Sequence, residues 1–273
     1  MMPTSILEVD TTPQGSSKLG GEPDLPVGVD WPTRPAYRYP RDKDEFRPQS
    51  AWDERPLNFV AQINLRDIAS AGSGLPLPNA GLLLFFYDIG VQPWGFDPND
   101  APGWRVMHVG ESAPIERRSN PAGGSSRTKP LELVPSEGLP DWAWIEENIH
   151  SDVRFGRKWF LEQLEKLTDD DEERISYGGH VFGGWPNLVQ NPMELECEMV
   201  SNGLYAGKPE AYDDPRIPEF QERASDWRLL LQIDSDDDLD WMWGDSGKIY
   251  FLCREEDITA RRFERSWTIL QCT

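Results

Sequence analysis

The sequence predicts an α+β protein in which two sheet-containing halves, residues 15–110 and 178–273, pack as one unit, with a linker and helical insertion at 111–177 between them. Three observations lead there. A set of motifs occurs twice in the same order, the repeated pieces have strand-like content, and the stretch between them carries helical periodicity.

The repeat opens with "LGGEPDLP" at 19–26 and "FGGWPNLV" at 182–189, which share an apolar-Gly-Gly-x-Pro-x-Leu skeleton. Two glycines with a proline two residues on make a sharp bend, not a helix start. A phosphate cradle would need G-x-G-x-x-G or a following Lys-Ser/Thr, and neither is present, which excludes nucleotide binding there. Downstream, "FVAQIN" (59–64) and "GLLLFFYD" (81–88) correspond to "LLLQID" (229–234) and "GKIYFLCR" (247–254). Spacings differ by only a few residues, as expected of a duplicated half with loop insertions. Alternation is weak in 81–88 and 247–254, so these strands are expected to be covered on both faces, where the halves meet. Gln62 and Gln232 then fall just inside strands, where a buried amide serves to satisfy neighbouring backbone groups.

Between the halves, "SNPAGGSSRTKP" (119–130) reads as a loop or linker. Trp142, Ile145, Ile149 and Val153 recur at helical spacing behind Pro140-Asp141, and Phe160, Leu164 and Leu167 mark a second helix. "DDDEE" at 169–173 is a solvated end whose charges oppose the helix dipole.

Composition narrows the function. The chain of 273 residues has a formal charge of −21, 38% hydrophobic residues and 12 Trp, so it folds, and it repels phosphates and anionic membranes. A basic protein or a cation is the electrostatically preferred partner; nucleic acid and membrane are not. No apolar run is long enough for a membrane helix and the start lacks a signal-peptide pattern, so a cytoplasmic location is expected. Cys197, Cys253 and Cys272 show no C-x-x-C spacing and read as buried reduced thiols. His108, His150 and His180 are scattered, and His180, in "YGGHVFGG", reads as structural. No G-x-S-x-G, H-E-x-x-H or Cys/His signature occurs, so no catalytic residue is assigned and no cofactor is expected.

The densest motif is "QIDSDDDLDWMWGD" (232–245), with six aspartates, two tryptophans and no lysine or arginine. Asp234, Asp236, Asp238, Asp240 and Asp245 match positions 1, 3, 5, 7 and 12 of a calcium loop. Leu239, however, replaces the turn glycine, and the flanks are strands, which leaves a weak metal candidate. The preferred reading is an acidic, aromatic surface: Asp234, Asp236, Asp237, Asp238, Asp240 and Asp245 steer a basic partner, and Trp241 or Trp243 anchors it. The competing reading makes the tryptophans core and the aspartates turn formers. "WGFDPNDAPGW" (94–104) carries the same ambiguity in Trp94, Asp97, Asp100 and Trp104, and the two loops are expected to share a rim.

Taken in order, "LGGEPDLPVGVDWP", "LNFVAQINLRDI", "GLLLFFYD", "WGFDPND" with "WRV", "GGHVFGGWPNLVQNPM", "WRLLLQIDSDD", "MWGDSGKIYFLCREEDI" and "LQC" resemble the YwqG-like family, a bacterial domain-of-unknown-function group. The resemblance spans nearly the whole chain. It implies a compact cytoplasmic α+β protein with internal duplication, and some relatives look like immunity proteins encoded beside polymorphic toxins. It supplies no reaction or catalytic residue. The function expected is non-enzymatic protein binding, in its concrete form neutralisation of a cognate toxin. The alternative is a divalent-cation or small-molecule binding protein, with or without hydrolytic activity.

Overall fold

The computed structural model describes residues 11–37, 53–124, 126–136, 138–140, 144–145, 158, 162–163 and 179–273. Its architecture is mixed α and β, as the sequence predicts. β1 (Lys18–Gly20), β5 (Asn58–Asn64), β6 (Leu82–Tyr87), β7 (Trp104–Val109) and β9 (Thr128–Pro130) form an antiparallel sheet in the order β7-β6-β5-β1-β9. β10 (Val181–Phe182), β11 (Trp227–Asp234), β12 (Lys248–Arg254) and β13 (Trp267–Gln271) form the second sheet in chain order. Two ribbons complete the strands among the described residues: β2 (Asp24–Pro26) with β8 (Ile115–Arg117), and β3 (Thr33–Arg34) with β4 (Arg55–Pro56).

The two sheets share local detail. Gln62 pairs with Lys18 of β1, and Gln232 with Val181 of β10. Each glutamine accepts from a backbone N–H just past the glycine pair: Asp24 donates at 2.9 Å, Asn187 at 2.8 Å. Each also donates to a carbonyl three residues before the motif, Ser16 at 2.9 Å and Gly179 at 2.8 Å. The register slips between Phe59 and Ala61 in one sheet and between Leu229 and Leu231 in the other, the same offset from the glutamine. All four motif glycines have positive φ, from 61° to 70°. A side chain is disfavoured there.

The central strands do what their weak alternation predicts. β6 is buried throughout, and β12 is buried except at its ends. Corresponding aromatics meet between the sheets: Phe85 and Phe251 lie 5.1 Å apart, Trp104 and Trp267 4.9 Å apart, both edge to face. The Trp104 indole donates to the Ser266 carbonyl and the Trp267 indole to the Gly95 carbonyl. One core therefore runs through both halves, from Leu19 to Cys272.

Helices close the edges. Asn64 caps α1 (Leu65–Ala71) through its side chain, and Gly72 at φ 82° ends it. α2 (Glu194–Ser201) and α3 (Ile217–Ala224) pack together over the second sheet, and α3 buries Ile217, Phe220 and Ala224 at helical spacing. α4 (Glu255–Thr259) follows β12 directly. Between α2 and β12, fully buried Glu198 accepts from the Trp227 indole and from Arg254, with Arg223 at 3.4 Å, so its charge is compensated.

The expected boundary at 111 needs correcting. β8 and β9, from within 111–177, pair with β2 and β1 and so belong to the first half's fold. Three-residue strands held by backbone bonds leave almost no side-chain pattern. Of the expected helices, Trp144–Ile145, Lys158 and Glu162–Gln163 are helical, and Ile145 is buried. Trp142, Ile149, Val153, Phe160, Leu164, Leu167 and 169–173 lie outside the described residues. Cys197, Cys253 and Cys272 are buried free thiols, and burial pushes the Cys253 pKa up to about 12.

Candidate functional site

The acidic loop after β11 is a closed turn. Asp236, in extended conformation, accepts with Oδ1 from the N–H groups of Asp238 (2.9 Å) and Leu239 (3.3 Å), capping the 3-10 turn Asp237–Leu239. Asp240 takes the left-handed conformation at φ 54°, and Asp236 and Trp241 then exchange two backbone bonds of 2.9 Å. Short-range turn chemistry thus fixes the motif's centre.

The loop is not short of cations. Lys129 Nζ lies 2.7 Å from Asp236 Oδ2 and 3.1 Å from Asp238 Oδ2, Arg127 lies 3.6 Å from Asp240, and Lys248 lies 3.0 Å from Asp234. His180 Nδ1 accepts from the Asp234 N–H at 3.2 Å, which leaves the proton on Nε2, 3.0 Å from Asp236 Oδ2. Burial alone would raise the Asp236 pKa, but hydrogen bonds from Lys129 and His180 outweigh it and hold the carboxyl below its usual value. Hydrogen bonds to Asp236 and Asp238 in turn raise the Lys129 pKa. Among the described residues, Asp237 and Asp245 make no ion pair.

The loop tryptophans are core. Trp243 is fully buried, its indole donating to the Asp234 carbonyl at 3.0 Å and its ring 5.8 Å from Tyr87. Trp241, 5.5 Å from it, is also buried. Trp104 is buried against Trp267. The expectation that Trp241, Trp243 or Trp104 offers exposed anchoring area is therefore corrected: a large ring at the seam of two sheets is worth more inside. Trp94 is 43% exposed and Met242, between the two buried tryptophans, is 49% exposed.

The acidic loop is tied to the segment just before the 94–104 loop. The Gln92 amide donates to the Met242 carbonyl at 2.9 Å and accepts from the Gly244 N–H at 3.0 Å. Leu270 donates to the Trp94 carbonyl at 3.0 Å. In the 94–104 loop, Asp97 caps the turn Pro98–Gly103 through the Asn99 N–H. Asp100 is buried and accepts from Gly95 N–H at 2.8 Å; desolvation pushes its pKa up to about 6, and among the described residues no cation pairs with it.

Over residues 17–272 the chain matches the family described as Domain of unknown function (DUF1963). The chain belongs to that family. No curated protein matches it.

In this DUF1963 member the calcium-loop spacing does not translate into a cage. Asp236 and Asp238 turn toward Lys129, Asp234 toward Lys248 and Asp240 toward Arg127. Among the described residues no group of three or more His, Cys, Asp or Glu could hold a metal ion, and no helix is long and apolar enough to cross a membrane. A pocket of about 70 Å³ lies beside the first glycine turn, lined by Gly21, Trp31, Asn58, Phe59, Asn120 and Ser126 among others. That is about half the size of a benzene-binding cavity. Sequence reasoning missed Gln92, Lys129, Arg127 and Met242. Only Met242 had a local signal, the Trp-Met-Trp alternation that turns the middle residue out.

Proposed function

We propose that this chain is a non-enzymatic protein-binding module for a basic protein, in concrete form an immunity protein that binds and neutralises a cognate bacterial toxin in the cytoplasm. The observation that carries the reading is the Gln92 bridge. It ties the acidic loop to the segment that leads into Trp94, with Trp94 and Met242 exposed, on a chain of formal charge −21. Such a field accelerates encounter with a basic partner, and exposed aromatic area supplies the affinity that charge alone does not. The YwqG-like resemblance, some of whose members look like immunity proteins, supports the same reading. So does the matched bonding of Gln62 and Gln232, which suits descent by internal duplication: a duplicated scaffold leaves one loop free to diverge.

The test is co-expression with the product of the neighbouring reading frame. Protection of growth together with a stoichiometric complex, formed faster at low salt, is the expected result. A pure, folded chain that binds no such product yet turns over a small substrate ends the reading.

A further inference from the structure

We infer that the partner lays an apolar side chain on a strip formed by Met242, Trp94 and Tyr205, and sets its lysines or arginines against Asp237 and Asp245 at the Met242 end. The inference rests on the protein-binding reading above and specifies its chemistry.

Six large apolar residues are exposed among the described residues, and three of them sit on segments tied directly together. Gln92 bonds Met242 and Gly244, Trp94 is two residues beyond Gln92, and the Phe96 carbonyl accepts from Ala206, the neighbour of Tyr205, at 2.9 Å. Gln92 holds φ 50°, a left-handed conformation that is costly for a residue with a side chain, so the bridge is maintained against local preference. Met242 is kept outside because both flanking tryptophans are needed inside. A flexible, polarisable methionine beside a tryptophan suits a surface that receives another side chain.

Charge gives the strip a direction. Asp234, Asp236, Asp238 and Asp240 are engaged by Lys248, Lys129, His180 and Arg127, whereas exposed Asp237 and Asp245 are left for an incoming cation. The Lys208 ammonium lies 6.0 Å over the Tyr205 ring, so that ring already faces a cation of the chain's own. A second copy of the chain would bring the same unpaired aspartates and the same charge of −21, which disfavours it as occupant.

The experiment selects a random dodecapeptide library on the immobilised full chain and measures the enriched peptides by fluorescence anisotropy. Enriched sequences should carry an aromatic or aliphatic residue with Lys or Arg to one side. Met242→Asp and Trp94→Ala should each weaken them about ten-fold or more, the size of a modest anchor loss. Asp237→Asn with Asp245→Asn should weaken them about three-fold, and only at low salt. Glu222→Gln, an exposed acid on α3, should change nothing, and Met242→Gln with a melting curve separates lost contact from lost folding. Peptides without cations, or binding indifferent to both Met242→Asp and Trp94→Ala, overturn the inference. A Met242-dependent dimer in sedimentation velocity also overturns it, by naming a second copy as the occupant. A neighbouring-gene product that still binds both variants defeats the strip but leaves the protein-binding reading intact. Absence of both peptide and protein binding defeats both.

Discussion

The loop between β5 and β6 and the loop between β11 and β12 leave corresponding strands and solve one packing problem with different residues. The first forms helix α1, is capped by Gly72, and returns through Leu75-Pro76-Leu77, whose leucines pack against the core. The second forms a single 3-10 turn and returns through Trp241-Met242-Trp243, whose tryptophans do the same. Both close on a glycine: Leu65 donates to the Gly81 carbonyl and Ser235 to the Gly247 carbonyl. The inward alternation is shared because the seam between the sheets must be filled; the outward residues and the charge are not shared. A scaffold constrains the face it buries and leaves the other face free, so the acidic loop's distinctive chemistry must be sought outward.

The strongest way to break this comparison is to truncate the buried residues. Trp243→Ala should cost about 3–5 kcal/mol, a loss of buried ring plus cavity, and Leu77→Ala, only partly buried, about 1–2 kcal/mol. Urea unfolding midpoints measure both. If Trp243→Ala costs less than Leu77→Ala, the tryptophan is not filling the seam.

A second contrast sets the uncompensated Asp100 against the compensated Asp236. The folded-state pKa of Asp100 is raised from 3.8 to about 6, so the folded protein binds the proton more tightly than the unfolded chain. Stability should therefore fall as pH rises from about 4 to 6 and level off above, by roughly 3 kcal/mol at ~1.4 kcal/mol per pKa unit. Asp100→Asn should abolish that slope, seen as the difference between wild-type and variant unfolding free energies across the range. Asp236 carries the opposite sign. Its folded pKa lies below 3.8, so its contribution is present above that value and lost as pH falls through the folded pKa.

Smaller effects sharpen the contrast between caps. Asp236→Ala removes a cap and the carboxylate facing Lys129 and His180, and should cost about 2 kcal/mol at pH 7. Asn64→Ala, which removes the α1 cap, should cost about 1 kcal/mol. Equal thermal shifts for the two would mean that the Lys129 and His180 contacts add nothing. Smallest of all, Asp237→Asn and Asp245→Asn should leave stability within about 0.5 kcal/mol, because neither has a partner among the described residues to lose. A clear change in melting temperature would give these aspartates a structural role and remove them from the proposed docking surface.

Local physics made much of the molecule readable in advance. Glycine pairs before proline had to be bends, apolar β-rich runs had to be strands, and a buried glutamine had to serve backbone groups, because each follows from a few neighbouring residues. The aspartate cluster was legible as turn chemistry for the same reason: capping by Asp236 reaches only to Asp238 and Leu239. What no window of sequence contained was the environment brought from far along the chain. Lys129 and Arg127 reach the acidic loop across more than 100 residues, and Gln92 reaches Met242 across 150. Those contacts decide which aspartates are already neutralised and what lies beside Met242. The choice of tryptophan was likewise tertiary, since a Trp in a Pro/Gly/Asp-rich loop looks the same whether it turns in or out. The seam between two sheets took Trp104, Trp241 and Trp243 into the core, where apolar area is removed from water, and left Trp94 and Met242 outside.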